Sequence, residues 1–415
     1  MQPQDLLNGI DHTMLNHEQN RVYEFVEQLL LTSDEEGSLE NAFILHGVGG
    51  TGKSFLIKCL VKLCLSKFGA GSCLVMAPTG KAASILPFGR TLHSALRLPV
   101  PLVESGFEPL AAESLTNFQD EMGNMRLVII DELSMIGCRF LAAIDSRLKQ
   151  ARPSSSSKAF GGFPVILSGD YGQLPPVLDK PLFSEPNGHE SMMCRQGRLA
   201  FSTIRRAFFL DEIVRTKERD FQSLLLRVRD GVQTPEDLTV VLARQLHRLP
   251  AIERQKFQAS ILLCSTRGRA AEVNEEYLHR EPGGSVVLTA THSGRGAASH
   301  SDELAKGLLP RVELKIGSPV MLTANLGKVF GVFASDAHDN LPVVLVDFPD
   351  YEGPPLNPNF PTVVPIPAVT RTWHNDGRVY SRTQAPLVLA YATTIYKSQG
   401  SSLSCYTIDF GSKEI

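Results

Sequence analysis

The sequence predicts an α/β fold with buried parallel strands, and three observations predict it. Short apolar runs at 72–77, 127–130 and 164–167 have the length and continuity of strands covered on both faces. Segments of helical period lie between them, the alternation that builds parallel sheets. Most telling is Gly47-Val-Gly-Gly-Thr-Gly-Lys-Ser54, which follows one apolar run at 42–45 and opens another at 55–65. A strand, a glycine turn and a helix in that order form a phosphate-gripping loop.

Taken in order, 17–30 places Val22, Phe25, Val26, Leu29 and Leu30 on one helical face. In the next segment the glycines let consecutive backbone N–H groups face one anion, and the helix start adds partial positive charge. Gly47, Val48, Gly49, Gly50, Thr51, Gly52, Lys53 and Ser54 are therefore the candidate nucleotide cradle, with Lys53 on the β- and γ-phosphates and Ser54 on Mg²⁺. The run 127–130 ends in Asp131 and Glu132. A carboxylate at a strand tip suits Mg²⁺ held through water, and a second suits activation of an attacking water. After the following strand, Ser168-Gly-Asp-Tyr-Gly-Gln-Leu-Pro-Pro-Val177 offers Gln173 to a γ-phosphate, with Pro175 and Pro176 stiffening the loop. The stretch 86–125, rich in Pro and Gly with weak periodicity, reads as a small insertion.

From about Phe209 a second α/β unit is expected, with a strand at 259–264 and a helix at 269–278. Residues 283–310 read as loop, 312–348 as several β runs, 354–367 as a proline-dense edge, and 388–396 as a buried strand. At 415 residues the chain has room for two or three domains. A net charge of -3 excludes a broadly basic nucleic-acid coat and leaves room for a local basic groove. No run has membrane-spanning length, and the N-terminus lacks a secretory pattern, so the expectation is an intracellular protein without membrane contact. Seven cysteines without Cys-x-x-Cys spacing read as buried free thiols rather than zinc ligands.

The motifs and their order resemble superfamily 1 helicases of the 5′→3′ group, more narrowly the Pif-type helicases related to RecD. Met14-Leu-Asn-His-Glu-Gln19 resembles the adenine-reading element, which implies Gln19 on the base. Ala77-Pro-Thr-Gly-Lys-Ala-Ala83 and Thr91-Leu-His-Ser94 match the motifs for single-strand phosphates and bases, implying Pro78, Thr79, Lys81, Thr91 and His93 on DNA. Asp131-Glu-Leu-Ser-Met135 and 169–176 match the second and third motifs. Ile213-Val-Arg-Thr216 resembles the fourth, implying that Arg215 reaches the γ-phosphate across a domain cleft. Asp220, Phe221, Leu225, Arg229 and Gly231 resemble a helix-turn segment peculiar to the family. Lys397-Ser-Gln-Gly400 matches the fifth motif, which implies Lys397 and Ser398 on the strand and Gln399 and Gly400 on nucleotide.

The resemblance implies a P-loop NTPase of two RecA-like domains, 1–208 and 209–415, the second with a β-barrel-like insert at about 311–385. It implies Mg²⁺-dependent ATP hydrolysis driving 5′→3′ movement on single-stranded DNA and unwinding from a 5′ tail. The implied setting is telomere maintenance, recombination and repair, in nucleus or mitochondrion if the source is eukaryotic. Three positions depart from the family. Tyr396 replaces a usual His, Gly327-Lys-Val-Phe330 replaces a longer hairpin, and the sixth motif, with its second Arg, would lie past Ile415. Slow turnover is the expectation from the last, with a non-hydrolysing binding protein and an RNA helicase or translocase as alternatives. Taken singly, Thr79 and Lys81 read as a cap and a solvated charge, and His93 as a packed histidine. Phe221, Leu224 and Leu225 read as core, Arg229 as a solvated helix charge, and Trp373 as barrel core or surface.

Overall fold

A computed structural model describes residues 7–32, 41–99, 102, 106–215, 218–258, 260–302, 304–322, 325–333, 342–349, 351–375, 378–400 and 403–411. Thr216 of the fourth motif lies outside the described residues. The chain divides into two compact units, Met1–Leu242 and Ala243–Ile415.

In the first unit the strands are β1 Ala42–Gly47, β2 Cys73–Ala77, β3 Arg90–Thr91, β4 Leu127–Ile130, β5 Val165–Gly169 and β6 Arg206–Leu210. All pair parallel, in the order β3-β2-β4-β5-β1-β6. The helices are α1 His17–Thr32, α2 Lys53–Phe68, α3 Gly80–Ser84, α4 Leu92–Ala95, α5 Ala112–Met122, α6 Cys138–Ala151, α7 Met192–Ser202, α8 Arg219–Arg229 and α9 Pro235–Ala243. β4 and β5 are buried along their whole length, as strands covered on both faces must be. One face packs on α1 and α2, burying Val22, Val26, Leu56, Leu60 and Ile166. The other packs on α5, α6 and α7, burying Phe118, Leu141, Ile144, Leu148 and Val128. Each such aliphatic or aromatic side chain contributes about 1.5–3 kcal/mol.

Two expectations are corrected here. Phe209 belongs to β6, whose Phe208 pairs with Leu45 of β1, so the first unit continues through α8 to Leu242 instead of ending at Phe208. The stretch 86–125 is no appendage. β3 adds a parallel strand beside β2, and Leu92, Leu96, Phe118 and Met122 are core residues. Its signal was weak because β3 and α4 are only 2 and 4 residues long.

The second unit begins with α10 Ala251–Lys256, β7 Ile261–Cys264 and α11 Arg267–Arg280. Then come β8 Val286–Thr289, β9 Thr291–Ser293, β10 Arg311–Leu314, β11 Pro319–Leu322, β12 Asn325–Phe333, β13 Val343–Asp347, β14 Val363–Ile366, β15 Val369–Asn375, β16 Arg378–Gln384, β17 Leu387–Leu389, β18 Ala392–Thr394, α12 Ile395–Ser398 and β19 Tyr406–Asp409. β18 and β19 flank β7 in parallel. The insert is antiparallel: a sheet β14-β13-β12-β11-β17, a pair β10-β8, and a ribbon β15-β16-β9. It starts at β8, so 283–310 is not a loop and the insert begins well before 311. β8 and β9 escaped notice because they are short and mostly exposed. The run 388–396 also splits, β17 joining the insert and β18 joining β7. Trp373 is core: it stacks on Tyr380 and its Nε1 donates to His300 Nδ1 at 3.0 Å.

Glu190 illustrates how loops are fastened to the first unit. Arg198 donates to it through Nε at 2.9 Å and through its Nη2 at 2.8 Å, and Lys180 adds a bond at 3.3 Å. The Arg198 guanidinium, with Lys180 beside it, holds the Glu190 carboxyl at about 2, below its ordinary 4.5. A depressed carboxyl stabilises the fold above its unfolded value and loses that contribution as pH falls through the folded one. Denaturation series on the parent and Glu190→Gln should therefore converge between pH 4.5 and about 2, with a constant gap above 4.5.

Candidate active site

Parallel strands deliver their following residues to one sheet edge, and the motifs of the first unit stand along it. Gly50 and Gly52, at φ +94° and +80°, allow the loop after β1 to turn into α2. A Cβ at Gly52 would meet the end of the Gln19 amide, which would have to move aside. Lys53 lies against the loop itself, its Nζ donating to Gly47 O at 2.5 Å and Val48 O at 3.1 Å. Burial pulls its ammonium below the usual lysine value; the carboxylates of Asp131, Asp170 and Glu132 oppose this, and Arg215 adds to it. Those four groups thus share one electrostatic neighbourhood with Lys53.

Asp131 follows β4 and is buried, its N–H donating to Met76 O at 2.9 Å. Burial raises its carboxyl above the ordinary aspartate value, with the Ser168 hydroxyl, the Glu132 amide and Lys53 acting against it. Glu132 adopts φ 59° and ψ 49°, a left-handed conformation costing about 1–2 kcal/mol for a residue with a Cβ. Gly169 leaves room for this turn, since a Cβ there would sit 2.6 Å from Leu133 N. Gln173 is held by its loop, its N–H donating to Asp170 O at 3.0 Å.

Gln19 is 4% exposed and occupied within the chain. Its N–H donates to Asn16 Oδ1 at 2.9 Å while its Oε1 accepts from Asn16 N at 3.1 Å, a reciprocal cap for α1. Its Nε2 donates to Thr51 O at 3.0 Å, so the residue expected on adenine also fixes the phosphate loop. Arg215 departs from expectation. It lies in the same unit as the loop, with Val214 N and Arg215 N on Gly50 O at 2.9 and 3.2 Å, so it does not arrive from the second unit. The reason is β6: paired beside β1 with Leu210 opposite Gly47, it sends 211–215 directly over the loop.

The PIF1-like helicase family matches residues 14–238, the stretch that carries all of these groups. The chain belongs to the PIF1-like helicase family. It is 32% identical over 372 residues to the ATP-dependent DNA helicase PIF1 of Danio rerio, covering 87% of this chain and 53% of that protein. The human ATP-dependent DNA helicase PIF1 is 30% identical over 377 residues, covering 88% and 54%. The chain therefore spans about half the length of the curated relatives it matches. The crystal structure of Pif1 helicase from Candida albicans superposes with a TM-score of 0.67 at 26% identity, over 96% of this chain and 89% of that one. Bacteroides Pif1 helicase, solved with ADP-AlF3 and ssDNA, shares the fold at 23% identity and TM-score 0.67, over 95% and 86%.

The helix-turn segment expected of a PIF1-like helicase is α8, its turn and α9. α8 ends on Gly231 at φ +69°, with Gly231 N on Val228 O and Val232 N on Arg227 O at 3.2 and 2.9 Å, a Schellman closure. Arg227 forks onto Asp237 with two bonds of 2.6 Å, and Asp237 caps α9 reciprocally with Thr234. Arg229 is no solvated charge. It forks onto Asp170, Nε at 3.3 Å and its Nη2 at 2.6 Å. Sequence reasoning missed this partner, and no local pattern marks a pair 59 residues apart. Phe221 and Leu225, expected in the core, are 49% and 48% exposed, and only Leu224 is buried. They line one side of α8 at helical spacing, which sequence alone reads as a core stripe.

The DNA-motif residues are positioned locally. Thr79 caps α3 through Ala82 N, Thr91 caps α4 through Ser94 N, and both follow strand ends at the same edge. Pro78 and Lys81 flank the first cap, half-buried. His93 packs on Phe140 at 5.0 Å, and burial lowers its basicity. Lys397, Ser398, Gln399 and Gly400 belong to the second unit, at α12 and just after it. There burial, then Arg267, lower the Lys397 ammonium, and Ser398 Oγ donates to Ile395 O at 2.8 Å. Gln19→Ala should strand Thr51 O and Asn16 N and lower stability in urea by about 1–3 kcal/mol. A loss under half a kilocalorie would mean those bonds do not hold the loop.

Proposed function

We propose that the chain is an ATP-dependent DNA helicase motor that hydrolyses ATP to move 5′→3′ along single-stranded DNA and unwind from a 5′ tail. The observation that carries this reading is the gathering of Lys53, Asp131, Glu132 and Arg215 at one phosphate loop, with Gln173 on the turn of the neighbouring Asp170, in a chain of the PIF1-like helicase family. Support for the nucleic acid comes from Thr79 and Thr91, whose capped helices start at the same edge beside Lys81 and His93.

The chemistry follows from these residues. Lys53 trades the loop carbonyls Gly47 O and Val48 O for the β- and γ-phosphates. Glu132 takes the proton of the attacking water, and its left-handed backbone fixes where that carboxylate points. Gln173 and Arg215 contact the γ-phosphate, where an Arg is worth about 10³–10⁵ in rate. Gln19 faces adenine with what remains of its amide. Ser54 and the buried Asp131 offer hard oxygen ligands fitted to Mg²⁺. Mg²⁺ would neutralise phosphate charge there. In the second unit Gln399 and Gly400 serve the nucleotide, and Lys397 and Ser398 the strand. ATP-driven closure and opening of the two RecA-like domains moves their grips along DNA. Such a motor serves genome maintenance in nucleus or mitochondrion.

Glu132→Gln should bind a fluorescent ATP analogue like the parent and hydrolyse ATP about 10²–10⁴-fold more slowly. Parent-like hydrolysis would remove Glu132 from its role. With about three to six phosphates neutralised, log affinity for single strands should fall with log salt at a slope of about -2 to -4. Strand-displacement assays should show unwinding only from 5′ tails. Unwinding from 3′ tails alone, or of RNA duplexes in preference to DNA, would overturn the directionality or the substrate.

A further inference from the structure

Asp170 is 2% exposed and fastens four things at once. Its Oδ1 accepts Gly172 N at 2.9 Å and its backbone O accepts Gln173 N at 3.0 Å, which sets the turn that carries Gln173. His46, the residue before the phosphate loop, places Nε2 3.6 Å from the same carboxylate. Arg229, the last residue of α8, covers it with the guanidinium fork. The fit is close enough that a Cβ on Gly172 would collide with Arg229 Nε. Burial alone would raise the Asp170 carboxyl, yet Arg229, the Gly172 amide and His46 bring it below the ordinary value.

The far side of the link is stiff. The Schellman closure at Gly231 and the Arg227–Asp237 fork fix the end of α8 and its angle to α9. Arg229 is the last residue of α8 and so follows that helix, on which Phe221, Leu225 and Val228 are half exposed. A charge-assisted fork is directional, so a displacement of α8 that breaks it leaves the buried carboxylate to the Gly172 amide and His46.

We propose that Arg229 is a positioning residue for ATP hydrolysis: through Asp170 it holds the Gln173 turn, and so couples movement of α8 to contact with the γ-phosphate. This rests on the proposed ATPase role of Gln173. The protein is then built so that the helix-turn segment senses or sets the hydrolysis step without touching nucleotide.

The test uses the full chain with Arg229→Gln, Arg229→Lys, Asp170→Asn and the Asp170→Asn/Arg229→Gln double variant. Hydrogen exchange reports the turn independently of activity. Arg229→Gln should speed exchange of the Gly172 and Gln173 amides about ten-fold, leaving β4 and β5 unchanged, as expected for loss of a charge-assisted bond. Its DNA-stimulated kcat should fall about ten-fold while the dissociation constant of a fluorescent ATP analogue stays within about two-fold. Arg229→Lys should restore part of both, and the double variant should be no worse than either single. Unchanged exchange at Gly172 and Gln173 overturns the proposal, as do single losses that add in the double variant or a kcat equal to the parent's. Absence of ATP hydrolysis in the parent would instead sink the ATPase reading, and the exchange arm would still decide whether α8 holds the turn.

Discussion

The rest of the first unit depends on the parallel pairing of β1 between β5 and β6. Its register sets His46 opposite Gly169 on one side and Gly47 opposite Leu210 on the other. Three segments consequently leave the sheet together: the phosphate loop, the Asp170 turn and the strand-like stretch that pins itself to Gly50. A one-residue slip of β1 would turn every side chain to the opposite face, exchanging the α1–α2 side for the α5–α7 side. The apolar runs on both faces make such a slip costly, and that cost holds the polar edge in place.

Two buried aspartates stand along this edge; burial raises both carboxyls, and their partners decide the net direction. Asp170 receives a guanidinium fork and a backbone amide, and its carboxyl goes down. At Asp131 burial prevails, and its carboxyl goes up. Asp170 is satisfied inside the protein and organises the turn that follows it.

How much of this was readable beforehand follows from the range of each interaction. The phosphate loop, the Asp131–Glu132 pair and the Gln173 loop are contiguous in sequence, so spacing reveals them. Gln19 was expected on adenine from the family resemblance alone, and its grip on Thr51 is a tertiary bond that spacing does not encode. Arg229 looked ordinary because its partner lies on a different motif. The side of Arg215 was misjudged because strand order, not sequence order, decides which unit a segment joins. The fold class was readable from β4 and β5, buried throughout. β8 and β9 were not, since strands of four and three residues are too short to show a period. Phe221 and Leu225 show the converse, apolar residues at helical spacing that the described unit leaves half exposed.

Gly169 carries a consequence for how such motifs are read. Its missing Cβ lets Leu133 approach β5, and Leu133 is fully buried directly after the left-handed Glu132. The glycine opening one signature thus accommodates the backbone of another, earlier in the chain. The two signatures are one object recorded twice along the chain. A change at either glycine or glutamate is therefore a change to a shared joint, and natural variation at the two positions should be correlated rather than independent.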